Sequence, residues 1–268
     1  MDIVLLRPPV APFLYPVFQL MTECQCDRLV VMTAPHQSLV PLHQAGQVFE
    51  VVEYEFMMDW TQALREAMAL TTSNRVLVID PQLQFENLDF GLLSETTADV
   101  TWVSVVSSQA GEVVVDSKSI QDLRPRFSGY MMVCPERTTL PTAACFFVSR
   151  DVWVQTGGIN PVFCDIRISA LEWIERCSQL GYQVRHFDEG YCTDYPTFLW
   201  DLSTSKHLED QVVLVDQYSL TWKRLTVFRF FCFHFLGLVM ILLSFRVRHF
   251  RAIMKAVLRL IMVRPKLC

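Results

Sequence analysis

Asp80 is the residue whose type and position point most directly to ligand chemistry in this sequence. It follows Arg75–Ile79, a largely apolar run with the character of a buried strand. In an open α/β sheet, ligands are usually held at the carboxyl ends of the strands. A carboxylate there, with Gln82 two residues later, is a candidate for contacting a ligand. Pro81 also favours a simpler interpretation, in which Asp80 is a turn residue after the strand.

Two carboxylates in the second half of the chain are candidates for a general base, which takes a proton from a hydroxyl as a new bond forms. Asp165 is the first candidate because it lies in the loop after the Gly157-Gly158 turn. Glu172 is the second candidate. Its spacing of four residues from Arg176 also favours an ordinary ion pair on the surface of a helix.

Arginine residues form a further class of candidate, because arginine neutralises anionic groups by bidentate hydrogen bonding. Arg126 lies with Arg124 and Arg137 in a polar, proline-broken connection over residues 121–142. We take Arg126 as a candidate for contacting an anionic ligand. A solvated loop with ordinary surface arginines is the simpler interpretation of any one of the three.

The elements that must position these residues alternate between strands and helices, which predicts an α/β fold. The predicted strands are residues 3–6, 29–32, 48–54, 75–79, 100–106, 112–115, 144–148 and 183–187, and the predicted helices are residues 13–21, 60–70, 86–95, 150–154 and 168–180. Asp59 is the predicted N-cap of the second helix, and residues 100–115 are interpreted as a hairpin.

The order of elements in residues 143–184 resembles the acceptor-side half of the family 2 glycosyltransferases, which have the GT-A fold. That family's pattern is an apolar strand, an arginine, a Gly-Gly-Phe-Asp-Glu turn, a Glu-Asp pair and a helix that ends in Gly-Tyr. Here the arginine is Arg150, the turn begins at Gly157-Gly158, and the helix ends at Gly181-Tyr182. Ile168-Ser169 stands about where the family has its Glu-Asp pair.

The sequence Asp80-Pro81-Gln82 resembles the family's Asp-x-Asp motif, whose acids bind a divalent metal on the diphosphate of the sugar nucleotide. The resemblance implies that Asp80 and Gln82 contact a nucleotide-sugar, with Mg²⁺ or Mn²⁺ at Asp80. It also implies contacts from Arg126 and Arg150, and a catalytic base at Asp165 or Glu172.

By resemblance, the chain is expected to transfer a sugar from a nucleotide-sugar to a lipid-linked or polysaccharide acceptor. The resemblance implies that residues 1–205 form a GT-A-like domain with an open mixed sheet flanked by helices, followed by a connector over residues 206–221. The main alternative is a non-catalytic GT-A-like protein that serves as a membrane-bound partner or scaffold. A nucleotidyltransferase is a third and weaker alternative, because Arg7-Pro8-Pro9 does not provide a Gly-rich phosphate loop.

The charge distribution separates the body of the chain from its last 47 residues. Residues 222–268 contain ten Lys or Arg and no Asp or Glu, whereas the whole chain has 23 basic and 28 acidic residues. The body is therefore acidic, which argues against nucleic-acid binding. Nine cysteines without a repeated spacing, together with a start that lacks a secretory signal, favour reduced thiols in the cytosol.

The basic segment 222–268 is predicted to associate with a membrane. Residues 225–245 are mostly apolar and about as long as the roughly 20 residues that a bilayer-spanning helix needs. Basic residues on both sides make an in-plane segment an equal alternative to a span. Residues 248–261 place apolar and basic side chains on opposite faces of a helix, which is typical of an interfacial helix on anionic lipid. Packing of this helix on the acidic body is the alternative, and the expected location is the cytoplasmic face of a membrane.

Overall fold

The computed structural model describes residues 1–35, 37–46, 48–55, 60–107, 144–163, 166–194 and 210 of the chain. The chain divides into two compact units, one formed by residues 1–117 and 139–197 and the other by residues 118–138 and 198–268. All the strands and helices given below belong to the first unit. The predicted boundaries at residues 205 and 221 stay predictions.

Strands and helices alternate along the first unit. The strands are β1 (Asp2–Leu5), β2 (Arg28–Thr33), β3 (Glu50–Glu53), β4 (Arg75–Ile79), β5 (Leu83–Asn87), β6 (Val100–Ser107), β7 (Cys145–Ser149) and β8 (Val184–Asp194). The helices are α1 (Leu14–Glu23), α2 (Val40–Gln44), α3 (Trp60–Leu70), α4 (Phe90–Glu95), α5 (Arg150–Thr156) and α6 (Ile166–Gln179), with a 3-10 turn at Ala11–Phe13 before α1.

These strands form one mixed sheet in the order β3-β2-β1-β4-β7-β6-β8-β5, which confirms the predicted open mixed sheet. The first four strands run parallel. β7 is antiparallel to its neighbours β4 and β6, whereas β8 is parallel to β6 and antiparallel to β5. The chain adds β2 and β3 on one side of β1 and then β4 on the other side. The crevice between the carboxyl ends of β1 and β4 is therefore a topological switch point, where ligands bind in open α/β sheets.

The centre of the core is formed by β1 and β4. Residues 3–5 and 76–79 have no exposed surface. Since successive side chains of a strand point to opposite faces, both faces of the sheet are covered here, as is usual for parallel strands. α3 contacts β2 and β3, and it buries Trp60, Ala63, Leu64 and Ala67, a set with helical spacing.

The sequence locates α3 and β4 to the residue, but the prediction of one helix over residues 86–95 is wrong. The structure has β5 first, and α4 begins only at Phe90. The Asp89 carboxylate accepts a hydrogen bond from the Leu92 N–H at 3.1 Å and so caps α4. The sequence of β5 alternates apolar and polar residues, a strand period that a helical interpretation overlooks.

Several predicted features lie outside the described residues. They are the cap Asp59, the hairpin strand 112–115, the candidates Arg126 and Asp165, and the basic segment 222–268. Within the described ranges, no helix has both the length and the apolar character to cross a membrane.

Candidate functional site

Polar side chains gather where the four parallel strands end. Arg7 follows β1, Thr33 ends β2, Tyr54 follows β3, and Asp80 follows β4. The register of β1 with β4 pairs Leu5 with Ile79, so the residues just beyond the two strands are neighbours across the switch point. We call Arg7, Thr33, Tyr54 and Asp80 the switch-point cluster. All four are more than nine-tenths buried.

Arg7 and Asp80 form a bidentate ion pair at the centre of this cluster. Arg7 Nε donates to Asp80 Oδ1 at 2.8 Å, and Arg7 Nη2 donates to Oδ2 at 2.7 Å. The two side chains are only 5% and 4% exposed. Charge-assisted pairs with this geometry are the strong class of hydrogen bond, and burial removes the water that would otherwise compete for them.

Asp80 also holds the turn that leads from β4 to β5. Its Oδ1 accepts a hydrogen bond from the Gln82 N–H at 3.0 Å, and its carbonyl accepts from the Leu83 N–H at 3.1 Å. Its own N–H donates to the Ala144 carbonyl at 2.7 Å. The turn role that Pro81 favours is therefore present, alongside the ion pair. A role for Asp80 and Gln82 in nucleotide-sugar binding stays a prediction.

Tyr54 lies close enough to the ion pair to sense both charges. Burial raises the pKa of the Tyr54 phenol, while the positive charge of Arg7 acts to lower it and the negative charge of Asp80 acts to raise it. The Tyr54 N–H donates to the Thr33 carbonyl at 3.0 Å, which fixes its backbone beside the end of β2. The cluster thus contains one cation and one anion, with the Tyr54 phenol close enough for both charges to act on it.

The described residues do not fit a divalent cation at Asp80. Both oxygens of the carboxylate are already engaged by Arg7, and Oδ1 also accepts from a backbone amide. The second position of the motif is Gln82, a neutral amide. Within the described ranges, no group of three or more His, Cys, Asp or Glu side chains is placed to hold a metal ion.

Glu172, the second candidate base, belongs to a different arrangement. Arg176 Nε donates to Glu172 Oε1 at 2.9 Å, and Arg176 Nη2 donates to Oε2 at 3.0 Å. The expectation of a surface pair is wrong, because the Glu172 side chain has no exposed surface. Residues 168–175 of α6 are all buried, so the Glu172 carboxylate lies away from water, whereas the Arg176 side chain is 25% exposed.

The same arginine fastens the Gly-Gly turn to α6. Arg176 Nη1 donates to the Thr156 carbonyl, and Nη2 donates to the Gly158 carbonyl at 2.7 Å. These carbonyls flank the left-handed Gly157, which ends α5. Last-turn carbonyls need partners from outside the helix, and the guanidinium supplies one. Glu172 acts here by orienting Arg176, and its role as a base stays a prediction.

Gly158 is required by a close approach as well as by its conformation. Its φ is +66°, and a Cβ placed on it would lie 2.5 Å from the Trp153 ring. Trp153 packs edge-to-face on Trp173 with the ring centroids 5.1 Å apart, and Trp173 Nε1 donates to Thr156 Oγ1 at 3.0 Å. The Gly-Gly signal in the sequence therefore has a packing reason in this fold.

The structure does not bring Arg150 to Asp80. β7 is antiparallel to β4 and pairs Ser149 with Arg75, and the Arg150 N–H donates to the Asn74 carbonyl at 2.8 Å. Arg150 therefore lies at the amino end of β4, about 20 Å along the sheet from Asp80 at a strand rise of about 3.3 Å per residue. One diphosphate cannot contact both side chains in this arrangement.

Arg7 is the site residue that the sequence pattern alone does not identify. The sequence indicates only that Arg7-Pro8-Pro9 ends the first strand. The signal is a charged residue at the end of a largely apolar strand, with one acid at the equivalent end of another such strand. Its use would have required the strand order, because only neighbouring parallel strands bring their carboxyl ends together.

Comparison with known proteins gives the fold. No family model and no curated protein matches the sequence. TarS from S. aureus is similar in structure over 88% of this chain and 44% of its own, with a TM-score of 0.52 and 11% identity. A mycobacterial protein is similar over 80% of this chain and 73% of its own, with a TM-score of 0.50 and 13% identity. Glucosyl-3-phosphoglycerate synthase from Mycobacterium tuberculosis, in complex with Mn²⁺, UDP and phosphoglyceric acid, is similar over 80% of this chain and 77% of its own, with a TM-score of 0.49 and 15% identity.

TarS is a GT-A glycosyltransferase of the family 2 type. The resemblance seen in the sequence is therefore confirmed as a likeness of fold, which identities of this size support without extending to the reaction. The chain spans 44% of the length of TarS.

Proposed function

We propose that this chain is a glycosyltransferase that moves a sugar from a nucleotide-sugar donor to a membrane-linked acceptor at the cytosolic face of a membrane. The observation that carries the proposal is the switch-point cluster. A buried cation and anion lie at the carboxyl ends of β1 and β4, in the crevice where open α/β sheets bind their ligands. The GT-A fold makes a nucleotide-sugar the first ligand class to test.

The chemistry of the cluster suits the donor. When a glycosidic bond to a diphosphate breaks, the departing group gains negative charge, and a fixed cation nearby lowers the energy of that state. Arg7 is such a cation, because Asp80 holds two of its three donor nitrogens, Nε and Nη2, in a fixed direction. A preorganised charge does not have to reorient when the bond breaks.

The membrane-linked acceptor is supported by the sequence of residues 222–268. Their ten basic residues and their apolar content suit attachment to an anionic lipid surface. A lipid-linked or polysaccharide acceptor at that surface would be met by an enzyme held in place there. Flotation of the full chain with vesicles of 30% phosphatidylserine, beside vesicles of phosphatidylcholine alone, tests this part directly.

A non-catalytic GT-A-like partner or scaffold protein is the second candidate. The observation that favours it is the engagement of the single motif acid by Arg7, which leaves neither oxygen of Asp80 without a partner. This candidate predicts that no nucleotide binds and that the ion pair serves stability alone.

Calorimetry on the detergent-solubilised full chain separates the two candidates. UDP, GDP and their glucose and mannose derivatives are titrated into wild type and into Asp80→Asn, with Arg28→Gln as the matched loss of one ionic partner elsewhere on the sheet. Arg28 pairs with Glu50 at 2.7 Å at the amino end of β2, away from the switch point. Binding that only Asp80→Asn weakens supports the transferase. If folded wild type binds none of these nucleotides or nucleotide-sugars, the result supports the non-catalytic scaffold protein.

A further inference from the structure

The switch-point cluster has the charge of a complete metal site without a metal. Two carboxylates and one divalent cation carry no net charge together. Here one carboxylate, the neutral Gln82 and the guanidinium of Arg7 also carry none. Compared with a site of two carboxylates and a divalent cation, this cluster has one negative charge fewer and has the single positive charge of Arg7 in place of the metal's two. Its net charge is therefore also zero.

The guanidinium also lies where a metal ion bound by Asp80 would lie. It lies within 2.8 Å of both carboxylate oxygens, on the side where a cation bound by Asp80 would lie. A divalent ion that joined the pair would share a buried space with Arg7 and leave two uncompensated positive charges. Like charges at this separation repel strongly where water is excluded.

We propose that Arg7 takes the place of the divalent cation at the end of β4, so that this chain binds the diphosphate of a nucleotide without metal. The inference rests on the proposed function, since it concerns how the same site holds its donor. Asp80 is a positioning residue in this account, because it holds Arg7 and does not ligate an ion. Gln82 supplies the backbone amide that completes the carboxylate's partners.

The residues of the switch-point cluster also limit what the ligand can be. Thr33 and Tyr54 add hydroxyl groups but no further charge, so the described cluster offers one cation to an anion. A diphosphate interacts with such a cation more strongly than a neutral sugar does. The nucleotide alone is therefore expected to account for most of the affinity.

Two measurements on the full-length wild-type chain test the inference. The first is electron paramagnetic resonance of Mn²⁺ in the absence of nucleotide, which reports the free aqueous ion. The second is calorimetric titration with UDP and GDP in EDTA and again in excess MnCl₂. We expect no bound Mn²⁺ at equimolar metal and protein, and dissociation constants that agree within about threefold in the two buffers.

Variants at Arg7 give a further readout. Arg7→Gln removes the charge and is expected to weaken nucleotide binding by about tenfold or more, because a charge-assisted hydrogen bond is lost. Arg7→Lys keeps the positive charge but loses the bidentate geometry of the guanidinium. Its affinity for nucleotide is therefore expected to lie between those of wild type and Arg7→Gln. Arg28→Gln is the matched control, and circular dichroism establishes folding. If Arg7→Gln does not fold, the two wild-type measurements still decide.

The outcomes separate this inference from the proposed function. Nucleotide binding that requires Mn²⁺ overturns the inference and leaves the transferase in place. Mn²⁺ binding without nucleotide, lost in Asp80→Asn, also overturns it. Absence of nucleotide binding in both buffers overturns the transferase and the inference together. Equal binding in both buffers, weakened by Arg7→Gln and not by Arg28→Gln, supports both.

Discussion

Arg176 donates two hydrogen bonds of 2.9 and 3.0 Å to Glu172, one helical turn earlier, and the Glu172 side chain has no exposed surface. The spacing is that of an ordinary surface pair, but the burial makes it a different interaction. In the interior, the carboxylate fixes a guanidinium whose remaining hydrogen bonds reach the Thr156 and Gly158 carbonyls. One side-chain pair thus joins two helices and the turn between them.

Glu172→Gln is expected to destabilise the protein by about 2 kcal/mol, because the buried charge-assisted bonds to Arg176 are lost. Urea unfolding followed by circular dichroism measures the change. Glu66→Gln is the control, since Glu66 accepts from Gln62 four residues earlier on the exposed side of α3. It is expected to cost less than about 0.5 kcal/mol. Equal costs in the two variants would show that burial of Glu172 adds nothing.

Gly158→Ala and Gly157→Ala distinguish steric contact from backbone conformation. Both glycines have positive φ, +66° and +75°, but only Gly158 faces the Trp153 ring, whereas nothing lies within 4 Å of a Cβ on Gly157. We expect Gly157→Ala to lower the free energy of unfolding by about 1–2 kcal/mol, because alanine is strained in the left-handed conformation. Gly158→Ala should lower it by about 1–3 kcal/mol more, because its Cβ overpacks against the Trp153 ring. Thermal and urea unfolding both measure the difference, which similar values for the two variants would contradict.

Asp2 is expected to make stability depend on pH in the acid range. Burial acts to raise its pKa, but the Ser73 hydroxyl and the Ser73 and Thr72 amides donate to the carboxylate and lower the pKa overall. A carboxylate with a lowered folded pKa stabilises the protein above its unfolded pKa, near 3.9, and that contribution disappears as the pH falls through the folded pKa.

Asp2→Asn tests this assignment. The variant is expected to be less stable than wild type by about 1–3 kcal/mol at pH 7, and the gap is expected to narrow below about pH 4. Urea unfolding at pH 7, 5 and 3 follows the gap. A gap of constant size down to pH 3 would mean that the carboxylate's charge does not contribute.

The Arg7–Asp80 pair is expected to behave as a strongly coupled unit. Arg7→Met and Asp80→Leu should each cost about 3–5 kcal/mol, since each leaves a buried charge without its partner, whereas the double variant should cost much less than their sum. Urea unfolding of the four proteins completes the cycle. Additive costs would contradict the coupling. The folded double variant is also expected to lose nucleotide binding, which the scaffold interpretation does not predict.

Sequence reasoning located the elements whose patterns are local. α3 was predicted from good helix formers, and β4 from a short apolar run before an acid, and both have the predicted bounds. The sequence does not predict β5, because four alternating residues beside a helix give a weak signal, and its strand character depends on pairing with β8 about 100 residues later.

The candidate site was predicted only in part, because its chemistry depends on neighbours distant in sequence. Asp80 was identified from its place after a strand, but its partner lies 73 residues earlier. Burial of Glu172 was also out of reach, since its four-residue spacing from Arg176 is the same inside a protein as on its surface. Spacing predicts which side chains of one helix contact each other. Strand order and packing determine whether such a contact is buried or exposed to water.

The strand order also determines when each strand can pair while the chain is being synthesised. The half of the sheet formed by β3, β2, β1 and β4 is complete once residue 79 has been made, whereas β5, finished at residue 87, pairs only with β8 among the described strands. At about 5–20 residues per second, about 5–20 s pass between the synthesis of β5 and that of residue 191, the first residue of β8 that pairs with it. During that interval its backbone amides and carbonyls are open to other chains, as those of an unpaired edge strand are. Nascent chains arrested between residues 90 and 180 should therefore recruit chaperones more strongly than chains released after β8.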